Sequence, residues 1–182
     1  MELGVLEAAR AGSARDLRNA LEEDADSDLD LLVDEVGRNA LHISCMNGHL
    51  ECAKLLIYAG ASADHQGWDG STALYTCCMF DWPDCAALLL KKGARVNIAA
   101  ANGWTPLLAS CHEGHYECAR LCTGYGADVE RANREGSTPL IVACTLGRFS
   151  CARLCLLAGA SVNRADANGA TALTMACAFG RV

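Results

Sequence analysis

Residues 137–163, STPLIVACTLGRFSCARLCLLAGASVN, decide the fold. Thr138 can accept hydrogen bonds from the orphan amides of a helix start, and Pro139 stands at the next position, where a missing N–H costs nothing. The apolar run that follows is long enough for about two helical turns, and Gly147 sits where a left-handed residue would stop it. A second helix runs through SCARLCLLA and ends at Gly159. The pattern therefore predicts a helix, a tight turn and a second helix.

The same layout recurs along the chain. Glycines fall at 37, 70, 103, 136 and 169, leucines at 41, 74, 107, 140 and 173, and cysteines at 45, 78, 111, 144 and 177, each at a step of 33 residues. A further cysteine column occupies 52, 85, 118 and 151, so nine of the twelve cysteines lie in two columns. Asp69-Gly70, Asn102-Gly103 and Asn168-Gly169 are dipeptides suited to tight turns with positive φ. Thr72, Thr105 and Thr171 repeat the cap of Thr138, with Asn39 in its place in the first full copy. Self-similarity at this period marks a stack of modules, none of which can bury its apolar face alone.

With 182 residues, 52% hydrophobic and 20% charged, the chain is an ordinary globular mixture. The longest apolar run, Cys85–Leu90, is far below the roughly 18 residues needed to span a bilayer, and MELGVLEAAR carries no basic leader or apolar core of a secretory signal. An intracellular protein with no membrane association is expected. The net charge of −7 is concentrated near the start, where eight acids and no base lie between Glu22 and Glu35. From residue 36 onward 11 acids meet 12 bases, and no run of bases exceeds Lys91-Lys92, so nucleic acid is a poor candidate partner.

The T-P-L elements Thr105-Pro106-Leu107 and Thr138-Pro139-Leu140, the pairs Gly48-His49 and Gly114-His115, the apolar pairs Leu55-Leu56 and Leu88-Leu89, and the G-A-x-V-N endings at 93–97 and 159–163 resemble the ankyrin repeat family. The resemblance implies an all-α solenoid of stacked helix-turn-helix units with short hairpin-like turns. Repeats are expected at 34–66, 67–99, 100–132 and 133–165, with a degenerate capping repeat and a longer, solvated acidic loop at 1–33. A truncated repeat of one helix is expected at 166–182, which suggests either a piece of a longer protein or a frayed end. Departures include Asp81-Trp82-Pro83 in place of Gly-His, and Gly124 inside the second helix of the 100–132 repeat, where it costs about 1 kcal/mol against alanine.

The resemblance further implies a protein-binding scaffold, monomeric or part of a longer chain, with contacts from turn tips and the variable residues that end each first helix. Carried onto this chain, the first-helix positions are Met46 and Asn47, Met79 and Phe80, His112 and Glu113, and Thr145 and Leu146. The tip positions are Trp68, Asp69, Trp104, Arg134 and Glu135. These residues differ from unit to unit while the neighbouring columns repeat, and Trp68, Met79, Phe80 and Trp104 have the size and apolarity of interface anchors.

The stretch CHEGHYECARLC at 111–122 has zinc-ligand residue types, but the counterparts of Cys111–Cys118 at 45–52 and 144–151 keep both cysteines while the first lacks one histidine and the second lacks both. The spacing favours thiols that are small core residues, with no metal and no cofactor, and leaves a thiol-based metal- or redox-responsive regulator built on the same stack as the alternative. His112 and His115 are three apart, unlike the H-E-x-x-H pair, and no nucleophile elbow or P-loop occurs, so no catalytic residue is expected. His42, Asn97 and Asn163 read as hydrogen-bonding residues that secure turns. Equivalent cysteines of successive units, on helices roughly 8–10 Å apart, should not crosslink.

Overall fold

The first helices of the five later repeats start on side-chain caps. The computed structural model describes residues 2–23 and 27–180. The side chains of Asn39, Thr72, Thr105, Thr138 and Thr171 accept from the amides of His42, Tyr75, Leu108, Ile141 and Thr174, each three residues on. Removing such a cap typically costs about 1 kcal/mol. At the far end, Gly114 takes φ 86 and its amide returns to the Ser110 carbonyl, closing the helix as a left-handed residue should. Asp81 occupies the corresponding place with φ 60, the one positive φ on a non-glycine among the described residues.

Eleven helices and no strand occur among the described residues. They are α1 (Glu2–Ala11), α2 (Ala14–Glu23), α3 (Ala40–Met46), α4 (Leu50–Tyr58), α5 (Ala73–Phe80), α6 (Pro83–Lys91), α7 (Pro106–Glu113), α8 (Tyr116–Gly124), α9 (Pro139–Thr145), α10 (Phe149–Leu157) and α11 (Ala172–Ala178). They form two compact units, Met1–Arg95 and Val96–Val182. In the first unit α1, α3 and α5 pack in one row and α2, α4 and α6 in a second. In the second unit α7, α9 and α11 make the one row, α8 and α10 the other.

The leucine column supplies the seam of each unit. Leu41, Leu74, Leu107 and Leu140 are almost wholly buried, each contributing about 1.5–3 kcal/mol, whereas Leu173 on α11 is 66% exposed. Alanine and cysteine fill the positions between, and these small side chains let neighbouring helices approach closely.

Backbone bonds join the turn tips within each unit. The Trp68 amide donates to Val36 O at 3.1 Å, the Arg134 amide to Asn102 O at 3.3 Å and the Ala167 amide to Glu135 O at 3.0 Å. Single bridges close three tips, at Val33 with Asn39, Gln66 with Thr72 and Ala165 with Thr171. A second line of ties lies behind α4, α6, α8 and α10. Asp64 Oδ1 accepts from the Arg95 amide at 2.8 Å, Asn97 Oδ1 from the Asp128 amide at 2.9 Å and Glu130 Oε1 from the Ser161 amide at 2.6 Å. Asn97 therefore ties one turn to the next within its unit, as its place at the end of the repeat suggested.

The acidic segment is only partly solvated. Asp24 and Asp26 lie outside the described residues. Beyond them Leu29 and Leu32 are buried, and Asp30 accepts from the Ser62 amide at 3.1 Å and from Asn39 Nδ2 at 2.7 Å. The expected solvated loop is thus anchored from Leu29 onward, because two leucines in the acid-rich run find the core. Asp34 Oδ1 accepts from the Val36 and Arg38 amides at 3.1 and 2.9 Å, and its Oδ2 pairs with Arg38 Nη2 at 2.7 Å.

His42 has a tying role like that of Asn97. It is 1% exposed, and its Nε2 lies 2.9 Å from the carbonyl oxygen of Ser71. That oxygen can only accept, so Nε2 carries the proton and donates. Burial holds the imidazole pKa down at about 4. The folded state therefore favours neutral His42. Stability from this group is fully present above the unfolded pKa of 6.5 and is lost as pH falls towards 4, by up to about 3 kcal/mol. The urea midpoint is expected to fall steeply between pH 6.5 and 4.5, and His42→Gln should flatten that slope; an unchanged slope would show that another group controls it.

Two glycines give an opposed pair of predictions. A Cβ on Gly124 meets nothing within 4 Å and its φ is not positive, so Gly124→Ala should raise stability by about 1 kcal/mol in thermal melts. Gly103, at φ +83 with the Arg134 amide 2.9 Å from the would-be Cβ, should lose more than about 1 kcal/mol on the same change.

Candidate interaction surfaces

In the first unit the tip residue Trp68 is 74% exposed, with the edge of its ring against Gly37. Trp68 and Asp69 line a groove of about 450 Å³ together with Val36 and Arg38. The Asp69 carboxylate is occupied in its own turn, where Oδ1 accepts from the Ser71 amide at 2.9 Å and the Ser71 hydroxyl at 2.6 Å. Partial burial raises its pKa, but these Ser71 bonds prevail and the net shift is downward.

The first-helix positions of this unit divide in two. Asn47 Nδ2 donates to Ile43 O at 3.0 Å, closing the end of α3. Met46 accepts through Sδ from Arg38 Nη1 at 3.1 Å and through its carbonyl from Trp82 Nε1 at 3.0 Å. Both residues are half-buried and engaged inside the unit. Met79 is also half-buried, while Phe80 is 52% exposed. Among the residues expected from sequence in this unit, Trp68 and Phe80 are thus the large apolar side chains exposed to solvent, with Val36 exposed beside Trp68.

The second unit brings its expected residues together. Trp104, His112, Glu135, Thr145 and Leu146 line one groove of about 340 Å³. Trp104 is half-buried, and its ring packs edge-on against His112 with centroids 5.1 Å apart. It forms a wall of this groove and is not a free-standing anchor. Glu113 accepts from His112 Nδ1 at 2.7 Å, which orients the imidazole. Arg134 is exposed at its tip outside the groove's lining.

Sequence reading missed Asn133, Ser137, Val142, Asp166, Asn168 and Met175, which complete the lining. A usable signal existed for two of them. Asn133 Oδ1 accepts from the Glu135 and Ser137 amides at 3.0 Å each, and Asp166 Oδ1 from the Asn168 and Ala170 amides at 2.9 Å each. Asp34 does the same 99 residues before Asn133, so an Asx residue three places ahead of the tip glycine builds the turn.

The twelve cysteines are free thiols; ten are buried, Cys144 is half-buried and Cys177 is exposed. Cys111 and Cys118 are buried, while His112 is taken up by Glu113 and Trp104 and His115 stands at the start of α8. Among the described residues no group of three or more His, Cys, Asp and Glu side chains could hold a metal ion. Likewise, no described helix is long and apolar enough to cross a membrane.

A family model described as ankyrin repeats in three copies matches residues 5–100, 59–133, 95–166 and 120–182. The chain belongs to the ankyrin repeat family. Comparison with curated proteins gave no match. Ankyrin repeats generally mediate protein–protein interaction, and ankyrin repeat proteins are generally non-catalytic scaffolds. In this ankyrin repeat chain the surfaces described above stand at the tips and first-helix ends.

Burial predicts the order in which the thiols react with a bulky reagent. In native protein Cys177 should be labelled first and Cys144 second, with the other ten protected until unfolding. Mass mapping of alkylated peptides checks this, and early labelling of Cys52 or Cys122 would contradict the burial pattern.

Proposed function

We propose that this chain is a non-catalytic interaction scaffold whose second unit receives a segment of a protein partner in the groove walled by Trp104. The observation that supports this reading is the meeting there of Trp104, His112, Glu135, Thr145 and Leu146, positions that vary between repeats whose other columns are constant. Val142, Leu146 and Met175 offer apolar contact, and Glu135, Asp166 and Asn168 offer carboxylate and amide oxygens. Such a mixture suits an extended or helical protein segment, with apolar burial for affinity and polar groups for register. Acidic groups beside the groove disfavour nucleic acid.

In the first unit Trp68 and Phe80 form a second contact surface, flanked by Met46, Asn47, Asp69 and Met79, which shape it from within. Glu113 supports His112, and Arg134 adds a charge at the tip. The proposed setting is intracellular, as a monomer or part of a longer chain, without metal or cofactor.

The test is capture of a partner from source cells by the full chain, compared across variants that remain folded by circular dichroism. Leu146→Lys combined with Glu135→Lys is expected to weaken capture at least about tenfold, the effect of losing a hot spot. Glu117→Lys, on the exposed side of α8, should leave it unchanged. Trp68→Ala with Phe80→Ala asks the same of the first unit. Equal capture by the groove variant and wild type would refute the assignment.

A further inference from the structure

Six buried thiols form two triplets that the scaffold function leaves unexplained. They are Cys45, Cys77 and Cys85 in the first unit, and Cys111, Cys151 and Cys155 in the second. Each joins a first-column cysteine to the second-column cysteine of the following repeat, 40 residues later in both units. The contact is therefore between different columns, which the repeat period alone does not reveal.

The second triplet has the more complete setting. Cys111 Sγ and Cys155 Sγ are 3.7 Å apart, and Cys151 precedes Cys155 by one turn on α10. The Cys151 thiol donates to Ser110 O at 3.9 Å, which sets it beside Cys111, the next residue of α7. Cys151 is the third residue of α10, at the end of the helix where backbone amides favour a thiolate. It also lines a surface pocket of about 250 Å³ with Gly114, Gly147, Arg148, Phe149 and Ser150. Arg148 Nε donates to His112 O at 3.0 Å, which holds the guanidinium at that pocket.

We propose that Cys151 is a hydroperoxide-reactive thiol and that Cys111 resolves its oxidised form into an internal Cys111–Cys151 disulfide. The Cys151 thiolate attacks one oxygen of hydrogen peroxide, the O–O bond breaks, and hydroxide leaves to take up a proton as water. Cys151 is then a sulfenic acid. The sulfur of Cys111 attacks that sulfur, loses its proton, and displaces the hydroxyl as a second water. Two thiols and one peroxide become one disulfide and two waters.

Acidities in the triplet match these roles. The neighbouring Cys111 thiol lowers the Cys151 thiol below its usual range against the effect of burial, with Arg148 assisting, while Cys111 is pushed well up by its two thiol neighbours and by burial. The first unit repeats the polarity. Cys85, also third in its helix, is lowered by hydrogen bonds from Cys45 and Cys77, whose own thiols are raised. Cys151 is 1% exposed, so bulky alkylating reagents are kept from its sulfur, while a molecule as small as hydrogen peroxide can reach it from the pocket.

Treatment of the folded full chain with hydrogen peroxide, followed by non-reducing peptide mapping, tests the assignment. The expected product is a Cys111–Cys151 crosslink, lighter by two hydrogen atoms and reversed by dithiothreitol. Cys151 should be consumed at least about tenfold faster than buried Cys122. In Cys111→Ser, Cys151 should accumulate as a sulfenic acid that dimedone traps, and in Cys151→Ala, Cys111 should stay reduced. The wild-type map alone decides the matter if either variant fails to fold. Oxidation confined to Cys144 and Cys177, a crosslink from Cys111 to Cys155 alone, or loss of Cys151 only at the rate of global unfolding would each overturn the proposal.

Discussion

Burial of one narrow apolar seam between successive helix pairs is the constraint on which the rest of each unit depends. A two-turn helix is unstable in water by itself, since nucleation fixes several residues before any hydrogen bond repays the entropy. Side-chain caps and left-handed stops lessen that cost without removing it. The decisive gain comes when Leu41 meets its neighbours across α3 and α5, and when Leu107 and Leu140 do so across α7 and α9. Small residues at the intervening positions are part of the same requirement, because alanine and cysteine let the rows close up to the spacing at which tip and turn backbones bond.

Much of this was legible in the sequence. The period located the helices, threonines and glycines marked their ends, and His42 and Asn97 were recognised as ties. Legibility fell where the answer depended on the offset between neighbouring repeats and not on the repeat itself. Equivalent cysteines lie at one step of the period, so a column alignment suggests comparing Cys111 with Cys144. The structure instead sets Cys111 beside Cys151 and Cys155, one helix row away. The groove shows the same gap. Trp104, His112 and Leu146 could be named from their columns, but Asp166 and Met175 join them from the following repeat.

Exposure is a second property that columns alone do not give. Trp104 is large, apolar and near a tip, with the size of an interface anchor, and edge-on contact with His112 makes it part of a groove wall. Met46 and Asn47 stand at variable positions yet engage their sulfur, carbonyl and amide groups inside the unit. Variability alone therefore does not separate residues that touch a partner from those that shape the surface offered to it. In the acidic segment two leucines among the carboxylates were enough to draw the chain back to the core.

The ties made by Asp64, Asn97 and Glu130 share a property that reaches past stability. Each accepts from a main-chain amide, of Arg95, Asp128 and Ser161 in turn, and that bond requires no particular side chain at the receiving position; the Arg95 and Arg164 guanidinium groups add a second hold on Asp64 and Glu130. The bond to a peptide group survives whatever side chain its neighbour comes to carry. Modules fastened this way can be duplicated, reordered or diversified one at a time without a matching change next door, which gives a lineage a ready means of lengthening the array and altering what it grips.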